Sequence, residues 1–192
     1  MHIALWSSAI FDPPSLPTQI NRHFYCGEAN QAYGSFFAWW GGWITAAHVL
    51  DAICGEIPEF TRGGYVIDRP GGLDAALIGV TLPDTPPPSP QPGEVLWAFG
   101  FPAGSSQAAH RFCKVYMERP CTDDSWIAQI ITPEEPVVVG MSGGLVFRDS
   151  DHTPIGIIVT RNSAADLDDD GDRDQSLDFV ALRAVYDAIA AS

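Results

Sequence analysis

The chain has 192 residues, 46% hydrophobic and 18% charged, which suits a packed globule of one domain or two small halves and excludes an intrinsically disordered chain. A formal net charge of -14 leaves no basic surface for nucleic acid or for an anionic membrane. No apolar run reaches the length of a membrane-spanning helix, and the opening MHIALWSSAIFDPP lacks both a basic leader and a small-residue cleavage site, so no signal peptide is expected and a cytoplasmic location follows.

With 18 Gly and 16 Pro, long helices have little room. Short runs rich in Val, Ile, Phe and Trp, bounded by Gly, Pro and Asp, read instead as strands of a sandwich or barrel. The first are Ser35–Trp40 and Trp43–Thr45. The second of these continues as Ala46-Ala47-His48-Val49-Leu50, and the two alanines let the backbone turn, leaving an imidazole at the strand end. A structural histidine is the alternative there. Gly64–Asp68 follows, and then Gly71-Gly72-Leu73-Asp74 leads into the apolar strand Ala75–Val80. A carboxylate at the entrance of a buried strand needs a hydrogen-bond partner, and a histidine N–H suits it. A turn cap is the alternative, while Asp51 and Asp68 are weaker candidates because neither leads directly into an apolar strand.

Pro83 to Pro92 cannot join a sheet ladder, since proline has no N–H to donate. It reads as an extended connector dividing the chain into nearly equal halves; a long surface loop within one sheet is the alternative. Strands resume at Val95–Phe99, Phe112–Met117 and Trp126–Ile131. Gly140-Met141-Ser142-Gly143-Gly144 places a serine on a turn whose backbone N–H groups can face a developing oxyanion. A plain hairpin turn between Val137–Val139 and Leu145–Phe147 is the alternative. The same residues satisfy the nucleophile-elbow pattern of α/β-hydrolases, but that elbow is followed by a helix and by a later acid and histidine. Here Leu145-Val146-Phe147 reads as a strand, and His152 is too near to return from a distant loop.

The remaining strands are Gly144–Phe147, Ile155–Thr160 and Leu177–Val180, and Leu182, Val185, Tyr186 and Ile189 stand at helical spacing near the end. Between them, Asp166, Asp168, Asp170 and Asp172 alternate around Gly171 as in the first half of a calcium loop. Leu177 occupies the place of the bidentate glutamate, so the run reads as a solvated acidic loop, with a bare Ca2+ loop as the alternative. The cysteines Cys26, Cys54, Cys113 and Cys121 form no CxxC pair and read as free thiols of a reducing compartment.

The order His, Asp, Ser, carried by Thr45-Ala46-Ala47-His48, Asp74-Ala75-Ala76-Leu77 and Gly140-Met141-Ser142-Gly143-Gly144, resembles the trypsin/chymotrypsin family. Pro154 to Thr160 and Gly100-Phe101-Pro102 add to the likeness, which points to compact bacterial or phage-type members. The resemblance implies an all-β fold of two antiparallel six-stranded barrels and a short C-terminal helix. Residues 1–82 would form the first barrel, 83–92 the linker, and 93–192 the second barrel with the helix. It implies a serine endopeptidase with the triad His48, Asp74 and Ser142, an oxyanion hole from the N–H groups of Gly140 and Ser142, and no required cofactor. It further implies a substrate pocket near Val138, Val139, Val159, Thr160, Arg161 and Phe179. Pro136 stands where members that cut after basic residues carry an acid, so a small or apolar P1 side chain is expected. The partner implied is a peptide or protein substrate, with a regulatory protein or the residues before Ser35 to restrain it. Met141 and Leu145 depart from the usual Asp and Pro, and Cys54 does not lie beside His48. A non-catalytic peptide-binding module on the same fold is the alternative function.

Overall fold

The computed structural model describes residues 20–21, 34–52, 67–103, 109–118, 125–130, 137–159 and 176–191. In the first half, β1 (Ile20–Asn21), β2 (Phe36–Trp39), β3 (Gly42–Thr45), β4 (Ile67–Asp68) and β5 (Ala76–Ile78) form an antiparallel sheet of five strands in the order β1-β2-β3-β5-β4. In the second, β6 (Val95–Gly100), β7 (Ala109–Glu118), β8 (Ser125–Ile130), β9 (Leu145–Arg148), β10 (Pro154–Ile158) and β11 (Ser176–Ala181) close into an antiparallel barrel. Helix α1 spans Ala47–Ala52 and helix α2 spans Leu182–Ala190. The architecture is mostly β as expected, with a six-stranded barrel, a second sheet and a short terminal helix; among the described residues that second sheet has five strands where six were expected. Residues 53–66, including the start of the expected strand Gly64–Asp68, lie outside the described residues.

One local element was not expected. The strand ends at Thr45, as read, but the turn at Ala46-Ala47 opens helix α1, so His48 stands in a helix and not at a strand end. Trp43-Ile44-Thr45 favours a pleated surface, whereas alanine favours helix, so the change of propensity falls at Ala46–Ala47.

Strands β6, β9 and β10 read as nearly unbroken apolar runs because both of their faces are covered. Along β6, Leu96 and Ala98 face the barrel interior, while Trp97 and Phe99 belong to a second cluster shared with the first half. The same alternation separates Val146 from Leu145 and Phe147, and Ile158 from Ile157 and Val159. The shared cluster joins these side chains to Phe37, Ile44, Val49, Leu77 and Ile78. Helix α2 enters it through Leu182 and Val185, both 0% exposed.

The β2–β3 hairpin turns on Trp40 and Gly41, both at positive φ, as a two-residue type I′ turn requires. A tryptophan pays for that conformation in backbone strain. Its carbonyl accepts from Thr81 N–H at 2.9 Å and its ring packs edge-on against Tyr186 of α2, so the hairpin is held by the C-terminal helix. The proline-rich stretch 83–92 carries no helix or strand and runs between β5 and β6. Arg148 fixes it to the barrel by donating to the Ser89 carbonyl at 3.2 Å and by pairing with Glu94.

Candidate active site

His48 is the second residue of α1, where a helix leaves its first N–H groups without intrahelical partners. Asp74 supplies the missing acceptor from a distant loop. Its Oδ1 accepts from the His48 main-chain N–H at 2.9 Å, and its Oδ2 lies 2.7 Å from His48 Nδ1. One carboxylate therefore caps the helix and holds the ring of the same residue. An ionised carboxylate can only accept, so Nδ1 is the donor of this pair, and in the neutral ring the lone pair then belongs to Nε2. Asp74 reaches this position because Ala75 to Ile78 behind it are buried in the core, while its own side chain stays 21% exposed.

Ser142 is 7% exposed, on the turn between Val137 and β9. The turn is shaped by its glycines. Gly140 adopts φ +97° against the Phe101-Pro102-Ala103 loop, where an added Cβ would lie 2.5 Å from Ala103 N. Gly143, at φ +81°, sits so close to the first half that a Cβ would lie 2.1 Å from Ser35 O and 2.2 Å from Thr45 Oγ1. The next contact is Ala46 N at 3.1 Å, two residues before His48. The serine turn is thus docked on the chain segment that leads into the histidine helix.

The peptide planes of the turn are individually fixed. Val139 O accepts from Ala103 N–H at 2.7 Å, and Met141 O from Gly144 N–H at 2.9 Å. In a trans peptide the N–H points opposite to its C=O, so these bonds aim the Gly140 and Ser142 N–H groups away from those donors. Among the described residues, no carbonyl accepts from the Gly140 N–H.

Two residues to which the sequence assigned no role secure this arrangement. Ser35 and Thr45 are 0% exposed. Ser35 N–H donates to Ser142 O at 2.7 Å, its hydroxyl donates to Gly140 O at 2.8 Å, and Phe101 N–H donates to that hydroxyl at 2.8 Å. Thr45 Oγ1 donates to Ser35 O at 2.7 Å. A serine just ahead of an apolar strand carries no sequence signal of this kind, because the partners of its hydroxyl lie 66 and 105 positions away.

No protein-family model matches this chain, and no curated protein sequence matches it. Solved structures do. The Rv3671c protease of M. tuberculosis in its active form superposes with a TM-score of 0.57 at 15% identity, over 89% of this chain and 78% of its own. The NS6 protease of murine norovirus 1 gives 0.58 at 16% identity, over 89% and 93%. A mutant of the tobacco etch virus protease gives 0.58 at 12% identity, over 89% and 76%. The fold is that of the chymotrypsin-like proteases.

On this chymotrypsin-like fold, His48 and Asp74 come from the first half and Ser142 from the second, at the seam between them. The residues expected around a substrate pocket are spread unevenly. Val139 is 55% exposed beside Gly140, and Val138 is half-buried. Val159 and Phe179 are 3% and 0% exposed, and the Phe179 ring lies in the barrel core against Gly156. Thr160 and Arg161, and the calcium candidates Asp166, Asp168, Asp170 and Asp172, lie outside the described residues. Among the described residues, no three His, Cys, Asp or Glu side chains cluster as metal ligands, and no helix is long and apolar enough to cross a membrane. Cys113 is a free thiol inside the barrel; burial pushes it up to about 12, against smaller opposing effects of Arg111 and a backbone hydrogen bond at Ala98.

Proposed function

We propose that this chain is a serine endopeptidase in which Ser142 is the nucleophile, His48 the general base and Asp74 the group that holds the base. The observation that carries the reading is the pair of hydrogen bonds that Asp74 accepts from His48, made beside a glycine turn that packs Ser142 against the segment entering α1.

Ser142 Oγ attacks the scissile carbonyl carbon while its proton passes to His48 Nε2. The new C–O bond places negative charge on the carbonyl oxygen, which the Gly140 and Ser142 N–H groups receive. His48 then gives its proton to the amide nitrogen as the C–N bond breaks, leaving an acyl-Ser142 ester and a free amine. Water attacks that ester in the second half-reaction, with His48 again taking and returning a proton. Asp74 keeps the Nδ1 proton in place and stabilises the imidazolium formed in each half. The chain needs no cofactor for these steps, and its partner is a peptide or protein. A small or apolar P1 side chain suits the apolar edge that Val139 presents beside Gly140.

The fold also hosts sulfur nucleophiles: a cysteine-to-alanine mutant of the norovirus protease is described as inactive. In this chain the residue on the glycine turn is Ser142, so the corresponding chemistry falls to oxygen; Cys113, the cysteine among the described residues, is buried inside the barrel.

A fluorophosphonate probe tests the assignment. Ser142 Oγ should displace fluoride and become phosphonylated in the wild type, and Ser142→Ala should not be labelled. A folded wild type that stays unlabelled would instead favour a peptide-binding module on the same fold.

A further inference from the structure

The catalytic reading uses Ser142, His48 and Asp74, but the seam also holds the fully buried side chain of Ser35. Its hydroxyl bridges two pieces of the second half, accepting from Phe101 N–H and donating to Gly140 O, each at 2.8 Å. Those two pieces form the cradle of Gly140: Phe101 O and Ala103 N are the atoms nearest to where its Cβ would be, and Ala103 N–H holds Val139 O. We propose that the Ser35 hydroxyl is a positioning group for the oxyanion amides, an inference that rests on the peptidase reading above.

Gly140, at φ +97°, occupies a region open to glycine, and glycine has the widest backbone freedom of any residue. Something other than sterics must therefore select one orientation of its flanking peptides. The Val139–Gly140 plane and the Met141–Ser142 plane are pinned by main-chain bonds of 2.7 and 2.9 Å. The plane between them is pinned on its N–H side by Met141 to Val138 O at 3.1 Å, and on its carbonyl side by Ser35. Ser35 is the only one of these anchors that is a side chain, and it comes from the first half. Its main-chain N–H meanwhile holds Ser142 O at 2.7 Å, so hydroxyl and amide together hold the carbonyls of the two residues whose N–H groups face the oxyanion. The hydroxyl touches no substrate atom; it acts through Gly140. Its role belongs to the transition state, where the oxyanion forms, and not to the binding of the probe or substrate beforehand.

The experiment follows fluorophosphonate labelling of Ser142 in the wild type, Ser35→Ala and Ser35→Cys, with the folded fraction of each measured by urea titration. Ser35→Ala should lower the limiting labelling rate by about 10- to 100-fold, the scale of a misplaced donor, with the half-saturating probe concentration unchanged. Ser35→Cys, which keeps the volume and a weaker donor, should fall between. A purely structural role would move the urea midpoint and leave the rate of the folded protein alone. A rate within twofold of wild type in folded Ser35→Ala overturns the proposal, and the cysteine variant decides it in the same way if the alanine chain does not fold. An unlabelled wild type sinks the peptidase reading itself and this inference with it.

Discussion

At the scale of single residues, the decisive group is a carboxylate with two tasks. Asp74 accepts from the His48 main chain and from its ring, and the substitution Asp74→Asn separates the two. Asparagine remains a good helix cap, so α1 should persist and the stability should change little. Its amide, however, offers only one oxygen. With that oxygen on the main-chain N–H, the NH2 group faces Nδ1 and drives the ring proton to Nε2, where the base is needed. A loss of about 10⁴-fold in kcat with a near-normal thermal midpoint is expected, as read by peptide hydrolysis and circular dichroism. Activity within tenfold of wild type would mean that Asp74 does not set the tautomer. The identity of His48, Asp74 and Ser142 as candidates was legible in the sequence because each stood in an unusual local setting: an imidazole after Ala46-Ala47, a carboxylate before a buried strand, a serine among glycines. The roles of Ser35 and Thr45 were not legible, although Thr45 stands in the motif ahead of His48. Buried hydroxyls are ordinary in sequence, and only the fold brings them to Gly140 and Ser142.

At the scale of elements, the serine turn and α1 depend on each other through Gly143. Replacing it by alanine should cost about 3 kcal/mol, since the new methyl would overlap Ser35 O and Thr45 Oγ1 in a backbone conformation that alanine disfavours. The neighbours that must move are main chain and a buried threonine, so the strain should reach Ala46 and the helix behind it. Loss of Ser142 labelling should therefore accompany the loss of stability, and a stable, fully reactive Gly143→Ala would disprove the docking described. The strands were readable from their Val, Ile, Phe and Trp content and from the turn residues that bound them, to within a residue or two at most ends; Trp43–Thr45, for example, became Gly42–Thr45. Helix α1 was not readable. Six residues are too few for a helical period to stand out, and its cap is Asp74, 26 positions from His48. Helix α2 was readable because Leu182, Val185 and Ile189 form one stripe, of which the first two are buried.

At the scale of the molecule, the two halves share a core and do not merely meet at a cleft. Trp97, Phe99, Leu145, Phe147 and Ile157 of the barrel pack in one cluster with Phe37, Ile44, Leu77 and Ile78 of the first sheet. Helix α2 follows the last barrel strand yet reaches back to the first half, where Tyr186 meets Trp40 and Leu182 joins the shared cluster. His48 and Ser142 belong to opposite halves, so whatever loosens this junction should disturb the site without touching it. Leu182→Ala makes the test. The side chain is 0% exposed, and its truncation should cost about 2–5 kcal/mol. Because the cluster is common to both halves, wild type and variant should each unfold in one cooperative step, with the variant's midpoint lowered. Ser142 labelling should decline along the same curve as the fluorescence of the chain's tryptophans. If labelling of Leu182→Ala instead vanished well before that fluorescence changed, or if two separate transitions appeared, the halves would be independent folding units and the seam a weak contact between them.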